Sequence, residues 1–277
     1  MLGALISVPA GFNENAAAAM TVPMQAPPEE APQTACARLP SADFSHVPGA
    51  PTQVSSAAWV PASADAPAHC AATGYINPNI GIEVRLPEHW NGKFAKLGCG
   101  GFCGNTYGLG GCAGLLTHGY ACVMSDLGHR STALDAKWAY NNLQAKFDFG
   151  IRATHAATLA GKAITEAFYR NAPKRSYYVG CSTGGRQGMM EAQRYPEDFD
   201  GIVAGAPVIN ELGDGLTLMW NAVSTLGADH RQLFSFDDIR FVHAAVVKAC
   251  DMNDGVKDGL IGDGRACHFD PKVLQCK

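Results

Sequence analysis

Charge of either sign is scarce in this chain of 277 residues. Charged residues make up 17% of it, and 21 Lys and Arg against 25 Asp and Glu give a formal net charge of −4. The basic residues are scattered singly, without the cluster that a nucleic-acid surface requires. The chain also lacks a run of 18 apolar residues, the length expected of a transmembrane helix. We therefore expect no nucleic-acid partner and no membrane partner.

Apolar residues are plentiful enough for one sizeable core, since they form 47% of the chain. Residues 1–35 are rich in Ala and Pro and lack a basic n-region, so we interpret them as a leader or a disordered linker. Strand and helix patterns alternate over residues 36–208, and polar, helical segments follow. The sequence predicts a core domain at 36–208 and the start of an inserted lid domain at 209–277.

Cysteine is unusually frequent, with ten residues in the chain. Such a number is typical of proteins stapled by disulfides in an oxidising compartment, so we expect a secreted or periplasmic protein. The spacing suggests one bridge between Cys36 and Cys70 and another between Cys250 and Cys267.

A zinc site is the alternative for three of the cysteines, Cys99, Cys103 and Cys112. The segment offers no paired CxxC or HxxxH spacing, and the glycines between these cysteines suit a backbone loop better. The sequence therefore favours a loop without zinc.

The core segment has the pattern of an α/β protein. Strands are predicted at 81–86, 93–98, 120–125, 176–179 and 201–207, with a long helix at about 149–171. Strands that alternate with helices pair in parallel through right-handed crossovers. The pattern predicts a doubly wound α/β sheet.

The most informative motif is Gly180-Cys181-Ser182-Thr183-Gly184. A short aromatic and β-branched strand precedes it, and a segment of helical composition follows as far as Pro196. GxSxG between a strand and a helix is the nucleophile elbow of α/β-hydrolases, in which the glycines leave room for a sharp turn. The motif predicts Ser182 as a nucleophile.

A serine hydrolase also needs two backbone N–H groups that stabilise an oxyanion. Thr183 follows the nucleophile, and the glycine-rich segment 97–104 follows a predicted strand. We assign the N–H groups of Thr183 and Gly101 to this role, with Gly100 as a competitor for the second. The alternative is that the glycines only form a tight turn.

Several motifs together resemble the tannase and feruloyl esterase family, which includes a hydrolase of mono(hydroxyethyl) terephthalate. They are GCSTGGRQGMMEAQRYPEDFDGIVAGAP, LGCGGFCG, SDLGH and CDMNDGVKDGL, and the resemblance spans most of residues 36–276. It implies an α/β-hydrolase fold with a lid and the cleavage of aromatic-acid esters. It also implies that Cys181 forms a disulfide with a cysteine beside the catalytic histidine, which would exclude Cys181 as the nucleophile.

An acidic loop carries Asp251, Asp254 and Asp258 within eight residues. Three carboxylates can hold Ca²⁺ if backbone carbonyls complete the shell, although the segment lacks the glycine and glutamate of an EF-hand. A solvated acidic turn is the alternative. The resemblance implies a structural calcium ion in the lid, held by these three side chains and by the carbonyls of Val256 and Leu260.

The acid and base of a catalytic triad are not evident. In α/β-hydrolases an Asp or Glu and then a His follow the serine. The histidines after Ser182 fall in the predicted lid, and those before it are expected to be hydrogen-bonded structural residues: His230, His243 and His268 after it, His129 and His155 before it. We expect the acid and base to lie beyond Lys277, in a protein of which this chain is a C-terminally truncated part.

The predicted function is therefore the hydrolysis of carboxylic esters of aromatic, phenolic acids through an acyl-enzyme, with no cofactor consumed. A lipase or peptidase of the same fold is one alternative. A catalytically inert or binding-only chain is another, because one fold hosts many roles.

Overall fold

The computed structural model describes residues 30–106 and 111–275. Its centre is a seven-stranded sheet with the strand order β1-β2-β3-β5-β4-β6-β7. The strands are β1 Thr52–Val60, β2 His69–Ile76, β3 Ile80–Pro87, β4 Lys93–Leu97, β5 Ala121–Ser125, β6 Arg175–Cys181 and β7 Gly201–Gly205.

The sheet is mixed. Strands β4, β5, β6 and β7 pair in parallel, as the alternating pattern predicts. The expectation of a wholly parallel sheet is wrong for the other end, where β1, β2, β3 and β5 pair antiparallel. Strands β1 and β2 were not predicted. Antiparallel neighbours need only short connections and no crossover helix, so they leave no helical signal between them.

Seven α-helices accompany the sheet in the part of the chain that the structure describes. They are α1 Pro32–Arg38, α2 Ala113–Thr117, α3 Leu143–Phe147, α4 Ala153–Tyr169, α5 Thr183–Arg194, α6 Glu211–Ser224 and α7 Phe236–Cys250. None of the helices among these residues is long and apolar enough to cross a membrane.

Helix α1 corrects the interpretation of residues 1–35. It begins at Pro32, and both Ala35 and Cys36 are buried, so the packed chain starts before the predicted boundary. Proline is favoured in the first turn of a helix because its missing N–H has no partner there. Residues 1–29 lie outside the described residues.

Helix α4 covers the sheet with small residues. It lies within the predicted helix and is preceded by a wider turn at Asp148–Arg152. A Cβ on Gly161 would lie 2.9 Å from side-chain atoms of Phe94 and Val123, which shows how closely the helix approaches β4 and β5. Close contact of this kind gives interiors their high packing density.

Four disulfides join described residues. Both bridges expected from spacing are present, and Cys36–Cys70 ties α1 to β2. Two further bridges were not predicted, and they engage the three cysteines considered for zinc: Cys99–Cys103 and Cys112–Cys122. Cys181 is a free, exposed thiol among these residues, and Cys276 lies outside them.

Helices α6 and α7 bury far fewer residues than the helices that cover the sheet. Helix α6 buries no residue, and α7 buries only Cys250. Large apolar side chains such as Trp220 and Phe236 are 73% and 82% exposed. A contact with the core runs through Arg186 of α5, whose Nε lies 3.4 Å from Glu211 Oε2. The two helices that follow residue 209, where the sequence predicts the start of the lid, therefore bury few of their side chains.

Candidate active site

Ser182 lies at the junction of β6 and α5, on a strained turn. Its φ of 59° and ψ of −120° place a non-glycine residue in a sparsely populated region of the backbone map. The turn is fixed because the Ser182 N–H donates to the Gly205 carbonyl of β7 at 3.0 Å. The residue is exposed at the carboxyl end of β6, which lies between β4 and β7 in the sheet. This is the geometry of a nucleophile elbow.

Glycines surround the elbow because backbone segments approach one another there. A Cβ on Gly180 would lie 2.5 Å from the Gly184 carbonyl oxygen, and one on Gly98 would lie 2.7 Å from the Gly184 Cα. No side chain fits at either position without moving the backbone. The glycines of the motif are therefore explained by crowding around the turn.

The glycine-rich loop after β4 lies against the elbow. The Thr183 hydroxyl donates to the Gly101 carbonyl at 2.8 Å, which joins the residue after Ser182 to the loop. Gly101 has a φ of 56°, and its Cβ would lie 2.3 Å from the Ala133 carbonyl oxygen. Among the described residues, the N–H groups of Thr183 and Gly101 have no hydrogen-bond acceptor. Both therefore remain available to an anionic oxygen.

The Cys99–Cys103 disulfide closes this loop, and buried Gln187 connects it to α5. The Gln187 Nε2 donates to Cys99 Sγ at 3.1 Å, and the Tyr178 hydroxyl lies 2.9 Å from Gln187 Oε1. Tyr178 also donates to the Gly184 carbonyl at 2.7 Å. These contacts connect the loop to the elbow through buried side chains.

His129 supports the loop from the other side. Its Nε2 lies 2.7 Å from the Phe102 carbonyl oxygen, and its ring stacks on Trp138 at a centroid distance of 3.7 Å. Burial lowers the pKa of His129, which favours the neutral ring with a proton on Nε2. The expected structural role of His129 agrees with this hydrogen bond.

No histidine of the described residues forms a hydrogen bond with Ser182 Oγ. His155 Nδ1 lies 2.6 Å from Asp198 Oδ2, in agreement with the expected hydrogen bond. The three lid histidines are exposed: His230, His243 and His268. The position of the triad acid and base beyond Lys277, and the partner of Cys181, stay predictions.

A buried cluster of ionisable side chains lies behind α5, and no sequence pattern predicted it. Burial lowers the pKa of Lys96 to about 7. Burial and the Asp198 carboxylate raise the pKa of Glu191 to about 8. Lys96 Nζ donates to the Leu97 carbonyl at 2.8 Å and to Ser125 Oγ at 3.2 Å. No local motif could have revealed these residues, because they are far apart in the sequence.

The acidic loop after α7 is compact. Asp251 is buried, and its Oδ1 accepts the N–H groups of Asp258 and Gly259 at 3.2 and 2.9 Å. Gly255 and Gly259 have φ values of 90° and 81°, as the tight turns require. The carboxylates of Asp251, Asp254 and Asp258 do not form a group within 4.8 Å of one another. A calcium ion would have to draw these oxygens together.

Comparisons with known proteins agree on one family. Residues 65–277 match the family model described as tannase and feruloyl esterase. A mono(2-hydroxyethyl) terephthalate hydrolase of Piscinibacter sakaiensis is 34% identical over 89% of this chain and 49% of its own length. A probable feruloyl esterase B-2 of Aspergillus flavus is 38% identical over 72% of this chain and 38% of its own length.

A solved structure gives the same result. The crystal structure of feruloyl esterase B from Aspergillus oryzae aligns with a TM-score of 0.77 and 30% identity, over 89% of this chain and 52% of that one. The chain spans about half the length of the relatives it matches or less. Its mixed sheet and elbow have the α/β-hydrolase fold, and the chain belongs to the tannase and feruloyl esterase family.

Proposed function

We propose that Ser182 is the nucleophile of a serine ester hydrolase that acts on esters of aromatic, phenolic acids. The observation that carries the proposal is the strained Ser182 turn beside the N–H groups of Thr183 and Gly101, which have no acceptor within the described part of the chain. The aromatic acyl group follows from relatives whose names include feruloyl esterase and terephthalate hydrolase. These names describe esters of aromatic acids.

In the proposed reaction Ser182 Oγ attacks the ester carbonyl and a histidine takes its proton. The two N–H groups donate to the tetrahedral oxyanion, where preorganised donors contribute about 3–4 kcal/mol each. The C–O bond of the ester breaks and the leaving alkoxide takes the proton from the histidine, and water then releases the acid from the acyl-enzyme and restores the Ser182 hydroxyl. The histidine is not assigned to a residue of this chain.

The test is acylation by activated esters. We expect 4-nitrophenyl ferulate to acylate Ser182 faster than 4-nitrophenyl butyrate, and the acyl-enzyme to accumulate because deacylation also needs a base. Release of nitrophenolate gives the rate, and peptide mass spectrometry gives the site. Faster reaction of the butyrate would contradict the aromatic acyl group. A folded chain that neither ester acylates would leave the inert or binding-only alternative.

We also propose that the acidic loop binds one structural Ca²⁺ through Asp251, Asp254 and Asp258 and the carbonyls of Val256 and Leu260. Three carboxylates on a turn with two left-handed glycines support this ligand set. The Cys250–Cys267 disulfide closes the segment, which lowers the entropy that binding has to remove. The ion would order the loop and take no part in the ester chemistry.

Calcium is expected to protect exposed Lys257 from trypsin. An ion that binds only the ordered loop stabilises the loop by about 2.7 kcal/mol when its free concentration is 100 times the dissociation constant. Cleavage at Lys257 then slows by up to about 100-fold. Gel electrophoresis after reduction of the disulfides measures the fraction of chain cleaved at Lys257. Cleavage after Arg231, outside the loop, is the internal control, and Asp251→Asn should lose the protection. Equal cleavage of Lys257 with calcium and with chelator would exclude the site.

The compartment follows from the same chemistry. Four disulfides among the described residues fit an oxidising environment. We propose that the protein is secreted or periplasmic and that its partner is a small aromatic ester.

A further inference from the structure

We propose that His155, Glu191 and Asp198 form a second metal site, which takes a transition-metal dication such as Zn²⁺ behind the nucleophile helix. His155 is on α4, Glu191 is near the end of α5, and Asp198 ends the short turn that leads into β7. One ligand atom from each residue lies within 4.8 Å of the others. The site is distinct from the elbow and from the acidic loop.

The Glu191 carboxylate is the observation that points to a ligand. The residue is 0% exposed, and neither carboxylate oxygen has a hydrogen-bond partner among residues 30–106 and 111–275. A buried carboxylate without partners is costly, and native structures explain such groups by a proton, a water or an ion. Its oxygens face the carboxylate of Asp198 and the imidazole of His155. A cation between them would satisfy all three groups.

Neighbouring lysines do not occupy this position. Lys96 directs its ammonium to the Leu97 carbonyl and Ser125 Oγ, and Lys162 donates to the backbone carbonyl of Asp198. Neither lysine forms a hydrogen bond with the Glu191 carboxylate. Two carboxylates and a neutral imidazole would balance the two charges of a dication.

The geometry favours a small ion and gives it an entry route. Zinc bonds to nitrogen and oxygen are about 2.0–2.2 Å long, so the ligand atoms need to lie roughly 3–4 Å apart. His155 Nδ1 and Asp198 Oδ2 are 2.6 Å apart now, and an ion would displace the proton between them. The His155 side chain is 24% exposed, and the Tyr195 ring stacks on it at 3.7 Å. The imidazole is therefore both accessible and oriented.

The donor set selects the class of metal. Imidazole nitrogen with carboxylate oxygen suits Zn²⁺, Co²⁺ and related ions, whereas Ca²⁺ prefers oxygen alone. Co²⁺ in the presence of saturating Ca²⁺ is therefore a selective probe. The visible absorption spectrum of Co²⁺ depends on the atoms that ligate it. The Ca²⁺ occupies the acidic loop, so Co²⁺ cannot bind there.

The experiment is a titration of the whole chain with Co²⁺, followed by visible absorption and by metal analysis after gel filtration. We expect one Co²⁺ per chain, and a loss of affinity of more than about 10-fold in Glu191→Gln and in His155→Ala. Loss of an outer partner alone costs about 10- to 100-fold in metal affinity. Glu166→Gln, at an exposed position of the same helix as His155, is the matched control and should bind as the wild type does.

Two results would overturn the proposal. One is a folded wild-type chain that retains no Co²⁺ or Zn²⁺, in which case Glu191 and Asp198 share a proton instead. The other is stoichiometric binding that both Glu191→Gln and His155→Ala leave unchanged, which would place the ion at other histidines. Because the readout is binding, failure of the ester hydrolase proposal would not alter either result.

Discussion

Replacing Ser182 with alanine is expected to abolish acylation of the chain by 4-nitrophenyl ferulate. The acyl group needs the Oγ atom, so the variant should carry no acyl group at position 182. The fold should be unaffected, because the side chain is exposed and Oγ forms no hydrogen bond with a described residue. We expect the free energy of unfolding to stay within about 0.5 kcal/mol of the wild type. Mass spectrometry and thermal unfolding measure the two quantities.

Cys181→Ser is the matched control for this prediction. Cys181 is an exposed free thiol among the described residues and directly precedes Ser182, so it could be acylated in place of the serine. We expect the Cys181→Ser chain to be acylated at Ser182 at close to the wild-type rate. If Ser182→Ala still reacted and Cys181→Ser did not, the thiol would be the nucleophile and the serine assignment would be wrong.

Replacing Gly185 with alanine is expected to destabilise the chain by about 3 kcal/mol. The new Cβ would lie 2.2 Å from the Gly205 carbonyl oxygen and 2.8 Å from the Pro207 Cα, both of them backbone atoms. Overpacking of this kind costs about 1–3 kcal/mol or more, because α5 has to move away from β7. The melting temperature should fall by roughly 6–12 °C. The Gly205 carbonyl also accepts the Ser182 N–H, so acylation should slow as well.

Gly215→Ala separates this crowding from the general effect of the substitution. Gly215 lies in α6, and a Cβ there would have no atom within 4 Å. Alanine in an open helical position stabilises a helix by about 0.5–1 kcal/mol. We therefore expect opposite signs for the two variants in thermal unfolding. Equal changes in the stability of Gly185→Ala and Gly215→Ala would contradict the close contact between α5 and β7.

The elbow and the loop beside it were predictable because their signals are local. A serine on a strained turn needs glycine two positions to either side, and that requirement is visible in five consecutive residues. The loop was visible as a run of glycines after a strand, but the crowding of Gly101 by the Ala133 carbonyl oxygen is a tertiary contact. Strand β5 was also predictable, because it is a short apolar run that is buried along its whole length. The expectation that 201–207 forms a buried strand is wrong, because β7 ends the sheet and has no buried residue.

Strands β1 and β2 were missed for an equally physical reason. Their sequences, TQVSSAAWV and HCAATGYI, are rich in Ser, Ala and Gly, which have low strand propensity. They are strands because each pairs along its length with a neighbour. The Cys99–Cys103 and Cys112–Cys122 bridges likewise depend on how the chain folds. Spacing alone does not determine a pairing.

The sequence by itself determined the parallel strands, the nucleophile turn and the glycine loop, because turn chemistry and apolar periodicity act over a few residues. Its motifs also carried the resemblance to the family. Only the tertiary structure decided the antiparallel end of the sheet, two of the disulfides and the cluster of His155, Glu191 and Asp198. His155 and Asp198 are 43 positions apart and yet share a hydrogen bond. Contacts between residues so distant form only when helices and strands pack, and no local pattern encodes them.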